Sequence, residues 1–444
     1  MCLPDRRRQS LRGASSMIWR CSSFAGAAAL AITTSAAADP PLTVSRDIAF
    51  GPYPPEVYET YNTRLEAYRR GPAEGTVRGG LRTYDLLEPV QGASDPEPLP
   101  ARPATGSTIS MQAIEAAREY AGTMGSSALM IWHRGAVVEE SYFGDVRRDT
   151  PIVSRSLAKP ITAVAIGRAI AEGHIESLDQ PVAEFVTEWK GDDKAKIRVR
   201  HLLDMRSGLL PQGFSDDPLS IFSLTYLHPH HEDLLIHHYP LTHEPGTRYE
   251  YSNASSELVA VLIERATGQP YHDWVSAEVL APLGAPGGSV WVNRPGGVAH
   301  AGCCILLPAE VWLRLGVLLL EDGVWNGRRL LEPGFVEAMR TPTAENPHAG
   351  MGVFVAGPYV ERRGSFHPDI ERSRAWHSEP YLAADTFLFD GYGNQVVYII
   401  PSYELVILRS GGSPPKQPQW DNTFLPNTIM RGIAMDERPP AQPR

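Results

Sequence analysis

The pattern of apolar and polar positions changes period several times along the chain, and each change predicts an element. Ala128–His133 and Ala136–Tyr142 are strand-like runs joined only by Arg134-Gly135, a two-residue connection that favours a β-hairpin. From Ser156 to Ala171 the spacing is near-helical, with Leu157, Ile161, Val164 and Ala165 recurring until Gly173-His174 breaks it. Met111–Met124 and Val199–Met205 carry shorter helical signals, the second ended by Ser207-Gly208. Ser255–Ala266, closed by Gly268 and Pro270, and Glu310–Leu320, closed by Asp322-Gly323, read as amphipathic helices. Thr386–Phe389, Gln395–Ile400 and Leu405–Arg409 are β-rich, with Pro401-Ser402 turning between the last two.

Strands therefore come early and late, and helices fill the middle. This order predicts an α/β (α+β) fold: an antiparallel sheet flanked by helices, built from both chain ends, with a mostly helical inserted domain. The expected body is 109–435, with its α/β part at about 109–175 and 300–435 and its helical part at about 176–299. Residues 39–108 are rich in Pro and Gly and read as an extended N-terminal arm with one helix at Pro55–Arg69. Residues 209–244 read as irregular, and residues 436–444 as a flexible Pro-rich tail. A cleft between two such lobes is a common place for a ligand.

At 444 residues and 43% hydrophobic, the chain has ample material for a large core. The first 38 residues read as an export signal. Arg6, Arg7, Arg8, Arg12 and Arg20 give a basic start, Phe24–Thr33 is apolar, and Ala36-Ala37-Ala38 offers a small-residue cleavage site. Met17 is an alternative start, and Arg7-Arg8 with Leu11 is a poor twin-arginine match. The expected location is the periplasm or outside the cell. The apolar run is too short to span a bilayer and no later segment is apolar enough, so no stable membrane insertion is expected after cleavage. Without these residues 36 basic side chains face 50 acidic ones, an acidic body that argues against a nucleic-acid partner. Cys2 and Cys21 leave with the signal. The adjacent Cys303 and Cys304 read as buried free thiols, because neighbouring cysteines seldom bridge each other.

Three groups of residues could carry chemistry. Ser156-Leu157-Ala158-Lys159 places a hydroxyl and an amine on one face of a helix start. A lysine in a dry site can have its pKa lowered enough to take the serine proton, and a helix N-terminus favours a developing oxyanion. Taken alone the pattern is weak, because Ser-x-x-Lys occurs by chance and Ser156 could simply be an N-cap. Tyr251-Ser252-Asn253 directly precedes the amphipathic helix at Ser255–Ala266. Tyr251 could relay a proton and Asn253 could position substrate and lysine, or the two could be a core aromatic and an N-cap. Gly391-Tyr392-Gly393-Asn394-Gln395 lies between strands, where glycines admit a close approach and the Tyr392 N–H could serve as a second oxyanion donor, or it is an ordinary hairpin turn.

In this order the three motifs resemble the serine β-lactamase and penicillin-binding-protein superfamily. The resemblance is closer to its class C β-lactamase-like branch, which includes esterases, D-amino-acid peptidases and 6-aminohexanoate-dimer hydrolases. Arg200-His201-Leu202-Leu203 to Ser207-Gly208-Leu209, Glu244-Pro245-Gly246-Thr247, Pro282-Leu283-Gly284 and Leu315-Gly316 to Asp322-Gly323 also look like that branch. The resemblance covers about 128–411. It implies Ser156 as acylated nucleophile, Lys159 and Tyr251 as shared general base and acid, and Asn253, Gly391, Tyr392 and Gly393 as substrate-binding positions. It implies no metal and no cofactor, and a small ester or amide as substrate.

The third motif departs from the pattern. Where β-lactamases usually carry Lys-Thr-Gly or His-Thr-Gly, this chain has Phe389-Asp390-Gly391, so an anionic substrate such as a penicillin is expected to be disfavoured. His228, His230, His231, His237, His238 and His243 match no metal-ligand spacing and read as a solvated loop at the cleft. Tyr226 and Tyr239 are candidate pocket walls, and Trp132 is core. Alternatives to the esterase or amidase reading are a D-amino-acid peptidase or β-lactamase, and a catalytically silent binding or sensor protein of the same fold. Oligomeric state is not legible.

Overall fold

The computed structural model describes residues 42–71, 83–103, 107–364, 366–368, 374–434 and 438–439. The export signal lies outside the described residues, as does most of the tail.

Six antiparallel strands form the principal sheet: β1 (Ser126–His133), β2 (Ala136–Tyr142), β3 (Phe354–Val355), β4 (Phe387–Gly391), β5 (Gln395–Ile400) and β6 (Leu405–Gly411). Their order is β2-β1-β6-β5-β4-β3, so the C-terminal strands dock on the N-terminal hairpin, with Ile407 opposite Ile131. The sheet is thus antiparallel and assembled from both ends of the chain. Arg134 and Gly135 both take positive φ, the twist a two-residue hairpin turn needs.

Every residue of β1 and of β5 is buried, because helices cover both faces. Leu129, Ile131, Val396, Tyr398 and Ile407 point into one core with helix α1 (Met111–Thr123). Ala128, Met130, Val397, Ile399 and Val406 point into the larger core, which holds α2 (Ala158–Ala171). Alternation in the strands therefore serves two apolar faces, which is why they read as near-continuous hydrophobic runs.

The middle of the chain is mostly helical. Residues 209–244, expected to be irregular, contain a helix at Ile221–Leu227 and α3 (His231–His237). Their apolar faces are short, and interrupting His and Pro residues hide the period. They are followed by α4 (Asn253–Thr267), α5 (Ala309–Leu320) against the principal sheet, and α6 (Phe424–Gly432), which packs on α1 and was not predicted. The Pro55–Arg69 helix lies where the sequence placed it. A second antiparallel sheet joins Leu87–Val90, Gly288–Trp291, Ile305–Leu307 and Ile152–Val153. Its last strand leads directly to Ser156.

Candidate active site

Ser156 sits in a single 3-10 turn, Arg155–Leu157, that runs straight into α2. Arg155, just before it, takes φ 50°, a conformation costly for a non-glycine residue and common where a side chain must be aimed. The turn is held from several sides. Ser154 N–H donates to Ile305 O at 2.9 Å, and Ser154 Oγ donates to Cys303 O at 2.9 Å. The buried Gln395 amide donates to Val153 O at 2.9 Å and Ser154 O at 3.2 Å, tying β5 to the segment that presents the serine.

One turn into α2, Lys159 is buried with its Nζ 3.2 Å from Ser156 Oγ, 2.9 Å from Asn253 Oδ1 and 3.0 Å from Gly302 O. Tyr251 Oη donates to Ser156 Oγ at 2.7 Å, and the Tyr251 ring centroid is 4.8 Å from Lys159 Nζ. Gln212 braces the tyrosine motif: its N–H donates to Tyr251 O at 2.7 Å and its Oε1 accepts from Asn253 N–H at 3.2 Å. Ser156 itself is only half-buried, so a substrate can reach it.

Electrostatics separate the two candidate bases. Burial lowers the Lys159 amine to about 7, with Glu257 acting in the opposite direction. Burial raises the Tyr251 phenol well above its ordinary value, the Ser156 hydrogen bond opposes this, and Asp390 adds to it. Lysine is therefore the group that can be unprotonated near neutrality, while tyrosine keeps its proton.

On the other side, β3 pairs with β4 only at Phe387 and Leu388, which leaves the rest of β4 free to approach the nucleophile turn. Gly391 does so closely. A Cβ there would lie 3.0 Å from Leu157 N and 3.2 Å from Ser154 O. Tyr392, Gly393 and Asn394 form the β4–β5 turn, so this motif is both a close approach and a hairpin turn. Tyr392 is 75% exposed, and Arg155 lies 6.0 Å from its ring centroid.

Several expectations are corrected. Cys303 and Cys304 form a vicinal disulfide rather than two free thiols, held in the loop that supplies Gly302 O to Lys159. Asp390 is not a bare negative charge, because the buried Arg363 guanidinium pairs with it from another strand while stacking 4.0 Å from the Phe354 ring centroid. That cation comes from 27 residues upstream, with no motif to mark it. The histidine run is not a solvated loop: His228 and His231 are fully buried, and only His237 and His238 are exposed. Tyr239 is buried with its hydroxyl on Leu210 O at 3.2 Å, and Tyr226 packs on Trp291 and His300. Tyr239 is therefore interior, whereas Tyr226 is partly buried against the second sheet. The sequence reading also missed Glu257, Gly302 and Gln212. Glu257 had a signal, as a charge one turn after Asn253 on an otherwise apolar helix face.

A serine held by a buried lysine and a tyrosine, at the edge of an antiparallel sheet, defines a serine hydrolase site. The model of the Beta-lactamase family matches residues 111–410, and the chain belongs to that family. A 6-aminohexanoate-dimer hydrolase of Paenarthrobacter ureafaciens is 25% identical over 48% of this chain and 57% of its own length. Esterase EstB of Burkholderia gladioli is 35% identical over 31% of this chain and 38% of its own. A solved Bacillus anthracis structure assigned as a 6-aminohexanoate-dimer hydrolase superposes with TM-score 0.61 at 18% identity, covering 83% of this chain and all of that one. That likeness concerns the fold.

Proposed function

We propose that the protein is an exported hydrolase of small esters or amides that works through an acyl-Ser156 intermediate. The observation that carries this is the buried Lys159 amine, lowered to about 7 and 3.2 Å from Ser156 Oγ. Ser156 Oγ attacks the acyl carbonyl as its proton passes to neutral Lys159. Developing negative charge on the carbonyl oxygen is taken up by the N–H groups of Ser156 and Tyr392. Collapse expels the alcohol or amine, which leaves with the Lys159 proton relayed through the Tyr251 hydroxyl. A water, deprotonated by the same route, then releases the acid and restores Ser156. The names of two relatives, an esterase and a 6-aminohexanoate-dimer hydrolase, support this substrate class.

The Arg363–Asp390 pair removes the strongest charge argument against anionic acyl donors, so β-lactams belong in the test. Intact-mass analysis after incubation with a panel of p-nitrophenyl esters, short amides and β-lactams should reveal an acyl adduct. Peptide mapping should place it on Ser156, and Ser156→Ala should lose both adduct and turnover. Retained turnover in that variant overturns the reading. A long-lived adduct from a β-lactam alone would favour a D-amino-acid peptidase or β-lactamase instead. Export rests on the N-terminal sequence pattern, and Edman sequencing of protein recovered from the periplasm or medium should begin near Asp39.

A further inference from the structure

One buried ionisable group beside Lys159 takes no part in the chemistry above. Glu257 lies on α4 one turn after Asn253, so both side chains face α2. Its Oε1 accepts from Gly302 N–H at 3.3 Å, and Gly302 O in turn accepts from Lys159 Nζ at 3.0 Å. A single residue thus joins the carboxylate to the amine. Gly302 must lack a side chain for this, because a Cβ there would lie 3.0 Å from Glu257 Oε1 and 2.9 Å from Ser256 Cβ.

Behind the carboxylate, His300 Nδ1 lies 3.3 Å from Glu257 Oε2, and His231 stacks on His300 with ring centroids 4.2 Å apart and 17° between planes. Donor atoms of His231, Glu257 and His300 all lie within 4.8 Å of one another, which invites a metal. The stacking opposes it. An imidazole lone pair lies in its ring plane, and two nearly parallel stacked rings cannot both aim at one ion. Trp291 stacks on the other face of His300 at 4.3 Å, which locks the ring in place.

We propose that Glu257 is a positioning residue for the catalytic lysine: it fixes the Gly302 carbonyl that receives Lys159 Nζ, and its charge sets the pH at which that amine gives up its proton. The inference rests on the base role of Lys159 proposed above. Other titratable groups face Glu257 from each neighbouring element, namely His231 from α3, His300 from its loop, Tyr84 from the arm, and Tyr271 after α4. Burial keeps both histidines neutral and both phenols protonated, so Lys159 is the cation with which Glu257 balances charge. Burial also raises the Glu257 carboxyl, which brings the two groups into one titration range.

The sequence contains only five lysines, Lys159, Lys190, Lys194, Lys196 and Lys416, which makes a direct measurement simple. Protein labelled with 13Cε-lysine gives five signals, and the Lys159→Met variant identifies the one of interest without reference to turnover. Glu257→Gln keeps an acceptor for Gly302 N–H and removes the charge. Its Lys159 midpoint should fall by about one pH unit, since the opposite charge of Glu257 favours the ammonium. An unmoved midpoint overturns the inference. Should that variant not fold, the wild-type curve decides, because a neighbour titrating in the same range broadens it beyond a one-proton transition. A clean one-proton curve overturns the inference as well. The acid limb of ester hydrolysis should move with the midpoint. A moved midpoint with a fixed limb overturns the base role of Lys159 instead, and the proposal that depends on it.

Discussion

Tyr251 Oη donates to Ser156 Oγ across 2.7 Å, although 95 residues separate the two in the chain. Burial holds the phenol protonated, so in this state the tyrosine is a donor and not a base. Tyr251→Phe should therefore lose proton delivery to the leaving group while keeping the nucleophile in place. Turnover is expected to fall by about 10²–10⁴-fold, with smaller losses for esters whose alcohols leave readily without a proton. Comparing p-nitrophenyl and ethyl esters of one acid checks this. An equal loss for both would contradict it.

With Lys159 as the proposed base, the rising limb of the pH profile is expected to follow its titration. Its pKa is lowered, so the ammonium persists below the folded value and the free amine appears above it. Ester hydrolysis should accordingly rise as pH passes through about 7, in kcat/KM measured from pH 5 to 9. Lys159→Arg keeps a cation but cannot deprotonate in this range, and its activity should be lost at every pH without a shifted limb. Recovery of the variant at high pH would point to a different base.

The principal sheet was legible because β1, β5 and β6 each hold an unbroken apolar run (Ala128–Trp132, Val396–Ile400 and Leu405–Leu408), and a strand buried on both faces has no polar period to confuse. Ser156, Lys159, Tyr251 and Asn253 stood out through the order of their motifs and its resemblance to the superfamily, since each spacing taken alone also fits an N-cap or a core aromatic. What stayed hidden depends on long-range contact. Arg363 reaches Asp390 from a short strand with no pattern of its own. His231 and His300 meet only because α3 folds onto the loop before Cys303. The vicinal disulfide was misjudged by a general rule about neighbouring cysteines, which the local loop overrides.

Arg363 and Asp390 can be separated by mutation. The guanidinium is almost wholly buried and the Asp390 side chain is 17% exposed, which means removing the cation leaves a largely enclosed carboxylate without its partner. Arg363→Met should cost about 3–5 kcal/mol of stability, whereas Arg363→Met combined with Asp390→Asn should recover much of it. Urea unfolding of the three proteins tests this. If the double variant is as unstable as the single one, the arginine's packing on Phe354 outweighs its charge pairing.

Gly391 offers the sharpest test of how β4 meets the nucleophile. A methyl group at that position would press on Leu157 N at 3.0 Å and on Ser154 O at 3.2 Å, both backbone atoms that cannot rotate away. The turn holding Ser156 would have to shift by a few tenths of an ångström, and Gln395 resists that shift from the next strand. Gly391→Ala should therefore fold with a melting temperature near that of the wild type, because the edge of β4 is unpaired here. Acylation by a p-nitrophenyl ester should nevertheless slow by about 10–100-fold, the usual cost of misplacing reacting atoms. Stopped-flow acylation rates and a thermal melt on the same sample separate the two effects. A variant that melts early and acylates normally would show that Gly391 serves the sheet and not the site.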